Sequence, residues 1–276
     1  MSLSDEPKML EKALELASLA SEKILQILKT NFSTQKKEDN SPVTIADLEA
    51  DQIIREGLLK SFPQHAILTE ENGLISNDKS EYVWLIDPLD GTKAFAKKIP
   101  GFCVMIGLLR SGIPHMGVVA DPLDKSIYCA LKGEQAYKLQ GPFRKILNVS
   151  DRSRSQEMPL VVSTGFPKPA LEKIKAHFSC PLLDPINSVG IKVSYLIQKK
   201  ADVYLNHHDV SLWDTCAPQI ILEEAGGLFT KMDGNPLSYS ELKVPYSHHA
   251  KTFASNRKKH QEWVEWLMEN LILSPK

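Results

Sequence analysis

Residues 82–95, YVWLIDPLDGTKAF, form the most informative stretch of the chain. Its apolar run stops at Asp87, which is typical of a buried strand that ends at a site. Pro88 enforces a turn, Asp90 follows, and a helix is predicted to begin at Gly91-Thr92. Because a helix start exposes backbone N–H groups, this turn can direct two carboxylates and several donors to one side. The stretch therefore predicts a site where carboxylates hold a hard cation such as Mg²⁺ and a phosphate bridges it to the helix start.

Three further acidic positions repeat this pattern. Glu70-Glu71 end the apolar run AILTEE, Asp214 lies at the start of a predicted helix, and Asp47 lies early in TIADLEAD. Each also has an ordinary interpretation: a solvated turn for Glu70-Glu71, an N-cap for Asp214, and a surface helix residue or cap for Asp47. Two acids that end a buried strand are harder to explain in this way, so Asp87 and Asp90 are the stronger candidates.

The overall charge limits the classes of partner. The 276 residues contain 33 Lys+Arg and 34 Asp+Glu, a net charge of −1. Bulk binding of nucleic acid or of an anionic membrane needs an excess of cations, so neither partner is expected. The N-terminus does not resemble a signal peptide, no run of about 18 apolar residues occurs, and the four cysteines are widely spaced. We therefore expect a cytoplasmic protein with reduced thiols, in which anions are bound by a local arrangement.

Hydrophobic periodicity predicts two long helices, over residues 4–30 with Ser4 as N-cap and over 44–62, separated by a polar loop, TQKKEDNSP. Antiparallel strands are predicted between residues 102 and 139, joined by Gly, Pro and Asp turns. After about residue 148, strands and helices alternate up to a final helix over 258–272. These changes suggest an N-terminal α+β metal-binding domain, residues 1–148, and a C-terminal α/β substrate-selectivity domain, residues 149–276.

Four segments in this order resemble the inositol monophosphatase superfamily of Mg²⁺-dependent, lithium-sensitive phosphatases: SPVTIAD, ILTEE, WLIDPLDGT and WDTCAPQIILEEAGG. The resemblance extends from about residue 10 to residue 255. WDTCAP and Gly190-Ile191-Lys192 are most similar to the 3'(2'),5'-bisphosphate nucleotidases. The resemblance implies a layered αβαβα sandwich of the inositol monophosphatase/fructose-bisphosphatase type, which combines α+β and α/β organisation, with the site between the two halves.

The resemblance also implies two or three Mg²⁺ ions, whose ligands would be Glu70, Asp87, the backbone carbonyl of Leu89, Asp90 and Asp214. Asp87 would bridge the first two ions, and Glu70 with waters would hold a weaker third. The implied catalytic residues are Asp47, Glu70 and Thr92. Thr92, hydrogen-bonded to Asp47, would orient and deprotonate the attacking water, while the N–H groups of Gly91 and Thr92 meet the scissile phosphate.

The implied substrate is adenosine 3'(2'),5'-bisphosphate, which would lose its 3'(2')-phosphate. The substrate-binding residues would be Asp90, Gly91, Thr92, Ser188, Gly190, Lys192 and Asp214. A helix start at Asn187–Lys192, with a Ser hydroxyl and a Lys, suits a second phosphate. The ordinary interpretation of Lys192 is an exposed helix lysine.

Two segments depart from the nucleotidase pattern. Residues 206–209, Asn-His-His-Asp, lack an Arg that some bacterial and fungal nucleotidases carry, and TGFP at 164–167 looks more like bacterial inositol monophosphatases. Inositol monophosphatase or fructose 1,6-bisphosphatase activity is therefore the first alternative. An inactive protein that binds a sugar phosphate or nucleotide is the second, although the intact acidic set argues against it. Both a monomer and a homodimer are compatible with the sequence.

Overall fold

The computed structural model describes residues 5–36, 42–75 and 80–272. Seven α-helices are found in these ranges: α1 Glu6–Leu28, α2 Ile45–Ser61, α3 Thr92–Ala96, α4 Lys168–Phe178, α5 Val189–Ile197, α6 Leu212–Glu224 and α7 His260–Leu267. The strands found in the same ranges are β1 Thr34–Lys36, β2 Pro42–Thr44, β3 Ala66–Thr69, β4 Gly73–Ile75, β5 Tyr82–Asp90, β6 Cys103–Arg110, β7 Ile113–Asp121, β8 Ser126–Leu131, β9 Tyr137–Gln140, β10 Phe143–Ile146, β11 Leu160–Val162, β12 Val203–Asn206, β13 Leu228–Lys231 and β14 Thr252–Ser255.

The larger sheet has eight strands in the order β10-β9-β8-β7-β6-β5-β3-β4. Its strands pair antiparallel except for β3 and β5, which run parallel. This confirms the antiparallel strands predicted between residues 102 and 139. The strand that contains the informative stretch, β5, is an interior strand with neighbours on both sides.

Side-chain alternation along β5 separates two hydrophobic layers. Trp84 and Ile86 pack with the apolar faces of α1 and α2, whereas Leu85 belongs to a second cluster on the opposite face. Both faces of the sheet are therefore covered by helices, which explains why β5 is almost continuously apolar.

Helices α5 and α6 cover the second face of the large sheet. Two glycines allow the close approach of α6: a Cβ on Gly107 would lie 2.6 Å from Cys216 Sγ, and one on Gly117 would lie 2.5 Å from the carbonyl oxygen of Ala217. Residues from the second half of the chain thus complete the core of a sheet built by the first half.

The smaller sheet has four strands in the order β11-β12-β14-β13, with β11 and β12 parallel. Along β12, Tyr204 faces α5 and α6, whereas Val203 and Leu205 face α4 and α7, where Phe178 stacks on Trp263. The layers are therefore helices, sheet, helices, sheet and helices, and the expected αβαβα sandwich is confirmed.

Some details differ from the sequence expectations. The polar segment predicted as a loop contributes two short strands, because β1 and β2 pair antiparallel. The proposed N-cap Ser4 lies outside the described residues, and α1 begins after Asp5 with Pro7 in its first turn. The two-domain division near residue 148 stays a prediction. In the described part of the chain, no helix has the length and apolar character needed to cross a membrane.

The contact between α6 and the large sheet can be tested by replacing Gly117 with Ala. We expect a loss of about 1–3 kcal/mol in the free energy of unfolding, because the added methyl collides with a backbone oxygen that cannot move independently. Urea unfolding followed by circular dichroism measures this loss. Gly141→Asn is the control, since its site is open and Asn tolerates its φ of 56°. Equal midpoints for Gly117→Ala and the parent protein would contradict the proposed packing.

Candidate active site

A β-bulge in β5 brings Asp87 and Asp90 to one side of the sheet. Asp87 pairs with Met105 and Asp90 with Cys103, so β5 has one extra residue in this interval. Pro88 occupies the irregular position and lacks the N–H that a regular ladder needs. In consequence Leu89 packs in the same cluster as Ile86, although it is three residues away. The predicted turn is thus a bulge at the end of a strand.

Asp90 is held at the beginning of α5. Its Oδ2 accepts hydrogen bonds from Ser188 Oγ at 2.6 Å and from the backbone N–H of Gly190 at 2.8 Å. Cys103 Sγ lies 3.8 Å from the same oxygen. The two groups expected to contact substrate, Ser188 and Gly190, therefore contact a carboxylate of the protein in this structure.

Glu70 reaches the site through the parallel pairing of β3 and β5. Its backbone N–H donates to the carbonyl of Ile86 at 3.1 Å, which places it beside the start of the bulge. The turn that follows is fixed by Asn72, whose N–H donates to Thr69 Oγ1 and whose amide donates to buried Asp51. The acidic pair Glu70-Glu71 lies in a turn and is half-buried, so it is partly solvated.

Asp214 lies in the first turn of α6. Ser211 caps this helix, and Asp214 Oδ2 accepts the N–H of Ser211 at 2.7 Å in a reciprocal capping box. The next residue, Thr215, is bonded to the buried side chains of His248 and Tyr239. Asp214 is consequently a capping residue of α6, and buried polar contacts of the next residue hold the start of this helix.

Asp47 forms the same type of capping box at the start of α2. Its Oδ2 accepts both the backbone N–H and the hydroxyl of Thr44, at 2.7 and 2.6 Å. The hydrogen bond to Thr92 is present, with Thr92 Oγ1 2.9 Å from Asp47 Oδ1. Asp47 is only 1% exposed, so the surface position considered for it is wrong and the cap is right.

Gly91 determines the direction of the chain between Asp90 and α3. Its φ is 97°, in the left-handed region, and a Cβ there would lie 2.3 Å from the carbonyl oxygen of Gly101. Thr92, directly after it, begins α3 and is partly exposed. No other residue type fits position 91 without displacing the chain near Gly101.

The carboxylates act on one another electrostatically. Burial, followed by the charges of neighbouring acids, raises the pKa of Asp87 and Asp214 well above 3.8. Burial also raises the pKa of Asp90, against the opposing hydrogen bonds from Ser188 and Gly190, and the pKa of Asp47. The charge of Glu70 contributes to raising the pKa of all four carboxyls. The sequence-predicted acids therefore share one electrostatic environment.

The donor set fits a hard divalent cation. Buried carboxylate oxygens with raised pKa values lack sufficient positive charge nearby, and oxygen donors of this kind are the preferred ligands of Mg²⁺. Across residues 5–36, 42–75 and 80–272, no three His, Cys, Asp or Glu side chains are already gathered as closely as ligands around an ion. The fit thus rests on chemistry and burial, and Glu70, Asp87, Asp90 and Asp214 remain proposed ligands together with the Leu89 carbonyl.

Lys192 is placed differently from both sequence interpretations. It is fully buried, with 0% exposure, so it is not an exposed helix lysine. Its Nζ donates to the carbonyl oxygens of Ile186 and Asn187 at 2.9 and 3.0 Å. In this structure its ammonium points to the protein interior and does not offer a solvent-exposed contact for a second phosphate.

Sequence reasoning missed Thr44 and Ser211, which orient Asp47 and Asp214. A signal for both was available, because Thr44 and Ser211 each precede an Asp by three residues, as in a capping box. The contact of Cys103 with Asp90 had no comparable signal, since these residues meet only through the pairing of β5 with β6.

Comparisons with known proteins show what the whole chain is similar to. The model of the inositol monophosphatase family matches residues 5–265. The chain is 31% identical to the 3'(2'),5'-bisphosphate nucleotidase CysQ of Aggregatibacter actinomycetemcomitans, over 84% of this chain and 88% of that protein. It is 32% identical to the Nus factor SuhB of Pasteurella multocida, over 74% and 77%. The solved inositol monophosphatase of Anabaena has a TM-score of 0.79 and 29% identity, with 96% and 97% coverage.

The carboxylate cluster predicts how stability depends on cations. We expect Asp214→Asn to raise the melting temperature of the metal-free protein by about 2–4 °C at neutral pH, because it removes one half-buried charge while an amide oxygen can still accept from Ser211. The same variant should gain less from excess Mg²⁺ than the parent. Differential scanning calorimetry in EDTA and in Mg²⁺ measures both effects.

The exposed acid Asp209 provides the control, since Asp209→Asn changes net charge equally without altering the cluster.

The pH dependence of the stability supplies a second readout. In the fold the pKa values of Asp87 and Asp214 lie above 3.8, so the folded protein retains protons that the unfolded chain has lost. The metal-free protein should therefore lose stability as pH rises above 3.8 through these raised values. A melting temperature indifferent to Mg²⁺ would contradict the proposed cation site.

Proposed function

The chain belongs to the inositol monophosphatase family, and we propose that this phosphatase removes the 3'(2')-phosphate of adenosine 3'(2'),5'-bisphosphate, giving AMP and inorganic phosphate. The observation that carries the phosphatase chemistry is the electrostatic repulsion of Asp87, at the end of β5, by Glu70, Asp90 and Asp214, together with the Thr92–Asp47 hydrogen bond. The choice of a nucleotide as substrate rests on the relatives named nucleotidases and on the aromatic side chains at the end of β12.

The proposed cation ligands are Glu70, Asp87, Asp90, Asp214 and the carbonyl of Leu89. When bound there, two or three Mg²⁺ ions would neutralise the phosphate oxygens, lower the pKa of water and stabilise the leaving alkoxide. The protein contributes rigid placement of these ligands: Asp87 accepts the N–H of Leu89 at 3.0 Å, and Asp90 is held by two donors from α5. Without cations these carboxylates would repel one another, and this repulsion favours the binding of cations.

Thr92 and Asp47 supply a path for the proton of the attacking water. Thr92 Oγ1 accepts this proton while its own proton passes to Asp47 Oδ1, along the hydrogen bond of 2.9 Å. Thr44 occupies the other carboxylate oxygen of Asp47, so Oδ1 is directed at Thr92. Burial raises the pKa of Asp47, which favours acceptance of the proton.

The start of α3 is the proposed contact for the scissile phosphate. The strained turn at Gly91 directs the chain so that the N–H groups of Gly91 and Thr92 can meet phosphate oxygens on the side of Asp90. Lys93 follows immediately and is exposed. The water attacks phosphorus, the bond to the sugar oxygen breaks, and that oxygen leaves as an alkoxide that takes a proton from solvent water to become the ribose hydroxyl.

A group of neutral aromatic rings favours a nucleotide over a polyol. At the end of β12, His207 and His208 have ring centroids 3.9 Å apart, and Phe166 contacts His207 edge-on at 5.3 Å. Burial and nearby cations, including Lys93, lower the pKa of His208 to about 4, so the ring stays neutral at pH 7. Neutral rings suit stacking on a planar base, and stacking contacts of this kind favour nucleotides.

Inositol phosphate remains the second candidate substrate, on a specific observation. The Anabaena structure, named an inositol monophosphatase, matches nearly the whole chain at 29% identity. The TGFP segment follows β11, contains the Phe166 that contacts His207, and resembles the corresponding segment of bacterial inositol monophosphatases. A direct comparison of substrates therefore distinguishes the two candidates.

The proton path predicts unequal effects of two substitutions at Thr92. Thr92→Val should lower kcat by about 100-fold or more, because the methyl cannot pass a proton to Asp47. Thr92→Ser should retain most of the activity, since it keeps the hydroxyl. Steady-state kinetics with saturating Mg²⁺ measures both. Similar losses for Val and Ser would indicate that residue 92 acts through packing and would contradict the proposed proton path.

A substrate panel tests the proposed function. Adenosine 3',5'-bisphosphate should be hydrolysed with a kcat/KM at least about ten-fold above that of inositol 1-phosphate or fructose 1,6-bisphosphate, equivalent to one base-stacking contact. Millimolar-scale lithium should inhibit the reaction, as in the family. Phosphate release measures all three substrates. A preference for inositol 1-phosphate would contradict the nucleotide proposal and favour the second candidate substrate.

The proposed contact between the His208 ring and the nucleotide base can be tested with the same substrates. His208→Ala should raise KM for the nucleotide and leave the kinetics with inositol 1-phosphate unchanged, because only the base uses the ring. His177→Ala is a matched control, because His177 is exposed on α4 and stacks on Trp266. Parallel losses on both substrates for His208→Ala would exclude a base-specific contact.

A further inference from the structure

Lys192 is an unusual lysine because it is buried without being paired directly to an acid. Among the lysines and arginines that the structure describes, it alone is buried. Its Nζ donates to the carbonyl oxygens of Ile186 and Asn187, and it lies 5.3 Å from the centre of the Tyr204 ring. Taking a charge out of water is costly, and these neutral partners compensate for only part of that cost.

The surroundings of Lys192 indicate which charges complete the compensation. Burial lowers the pKa of Lys192 to about 8, while Asp90 and Asp214 act in the opposite direction. Lys192 in turn lowers the pKa of both carboxyls, against their own burial. The ammonium and the two proposed cation ligands therefore stabilise one another through space.

The backbone connects the same groups. Lys192 lies on α5 and bonds to the two carbonyls just before it, so it closes the segment that leads into the helix. Ser188, the N-cap of α5, donates to Asp90 from this segment. A side chain that fixes residues 186–187 thus also fixes the donor that orients Asp90.

We propose that Lys192 is an internal counter-ion of the carboxylate cluster, which keeps the cluster assembled without divalent cations and weakens its affinity for Mg²⁺. This role rests on the proposed cation site and replaces a direct contact with a second phosphate. A divalent cation and the ammonium repel each other across the cluster, so each Mg²⁺ binds less tightly than it would to the acids alone. The consequence is a cluster whose cations exchange readily, since repulsion favours their release.

Two neutral substitutions separate charge from structure. Lys192→Gln removes the charge but retains an N–H donor for the carbonyls of residues 186 and 187, whereas Lys192→Met removes both. We expect both variants to bind Mg²⁺ at least about five-fold more tightly at pH 7.5, because the repulsion between a unit positive charge and a nearby divalent ion is removed. Both should melt at a lower temperature in EDTA and gain more from Mg²⁺.

Isothermal titration calorimetry with Mg²⁺ alone and calorimetric melting in EDTA measure these effects without turnover. Lys199→Gln is the control, because it removes an exposed charge just beyond the same helix. If the parent protein binds no Mg²⁺, the proposed cation site itself fails. If the parent binds Mg²⁺ but Lys192→Gln binds it equally or more weakly, the counter-ion role alone is wrong. A raised KM for the bisphosphate with unchanged Mg²⁺ affinity also overturns it.

Discussion

Repulsion among acids that share a buried site is the constraint on which this structure depends. Asp87 and Asp90 are buried and Asp214 is half-buried. Besides burial, the charges of Glu70, Asp90 and Asp214 raise the pKa of Asp87, and those of Asp90 and Glu70 raise the pKa of Asp214. The fold tolerates the arrangement because most of these carboxylates accept hydrogen bonds from backbone or hydroxyl donors at the ends of elements. Such donors come from the sheet bulge, from the two capping boxes and from the start of α5. The ends of helices and strands therefore stabilise the closely spaced negative charges.

This charge distribution explains how a chain of net charge −1 can act on anions. In the proposed function, divalent cations bound among the concentrated acids would reverse the local sign of charge, so that phosphate would be attracted to a point and not to a basic surface. The family's phosphatase chemistry fits this logic. The proposed role of Lys192 has the same basis, because its ammonium group would lessen the repulsion among the carboxylates before any divalent ion binds.

Much of the architecture could be predicted from local patterns. The apolar run of β5, the helical spacing in α1 and the alternation after residue 148 gave the element types, because burial on a sheet or helix face imposes a period on the sequence. The ribbon of β1 and β2 escaped prediction because strands of three residues are too short to show such a period. The acid positions were also visible, since each follows an apolar run or opens a helix, and residues that matched the family strengthened them.

The sequence by itself determined which oxygen donors are present, where each lies on its element, and to which family the motifs belong. Only the tertiary structure decided which side each group faces. Asp47 could have been a surface residue, and its burial beside Thr92 depends on how α2 packs against the sheet. Ser188 and Lys192 looked available for substrate, yet Asp90 occupies the former and the interior encloses the latter. Local periodicity specifies faces within an element, whereas contacts between residues about 100 positions apart arise only when separate elements pack together.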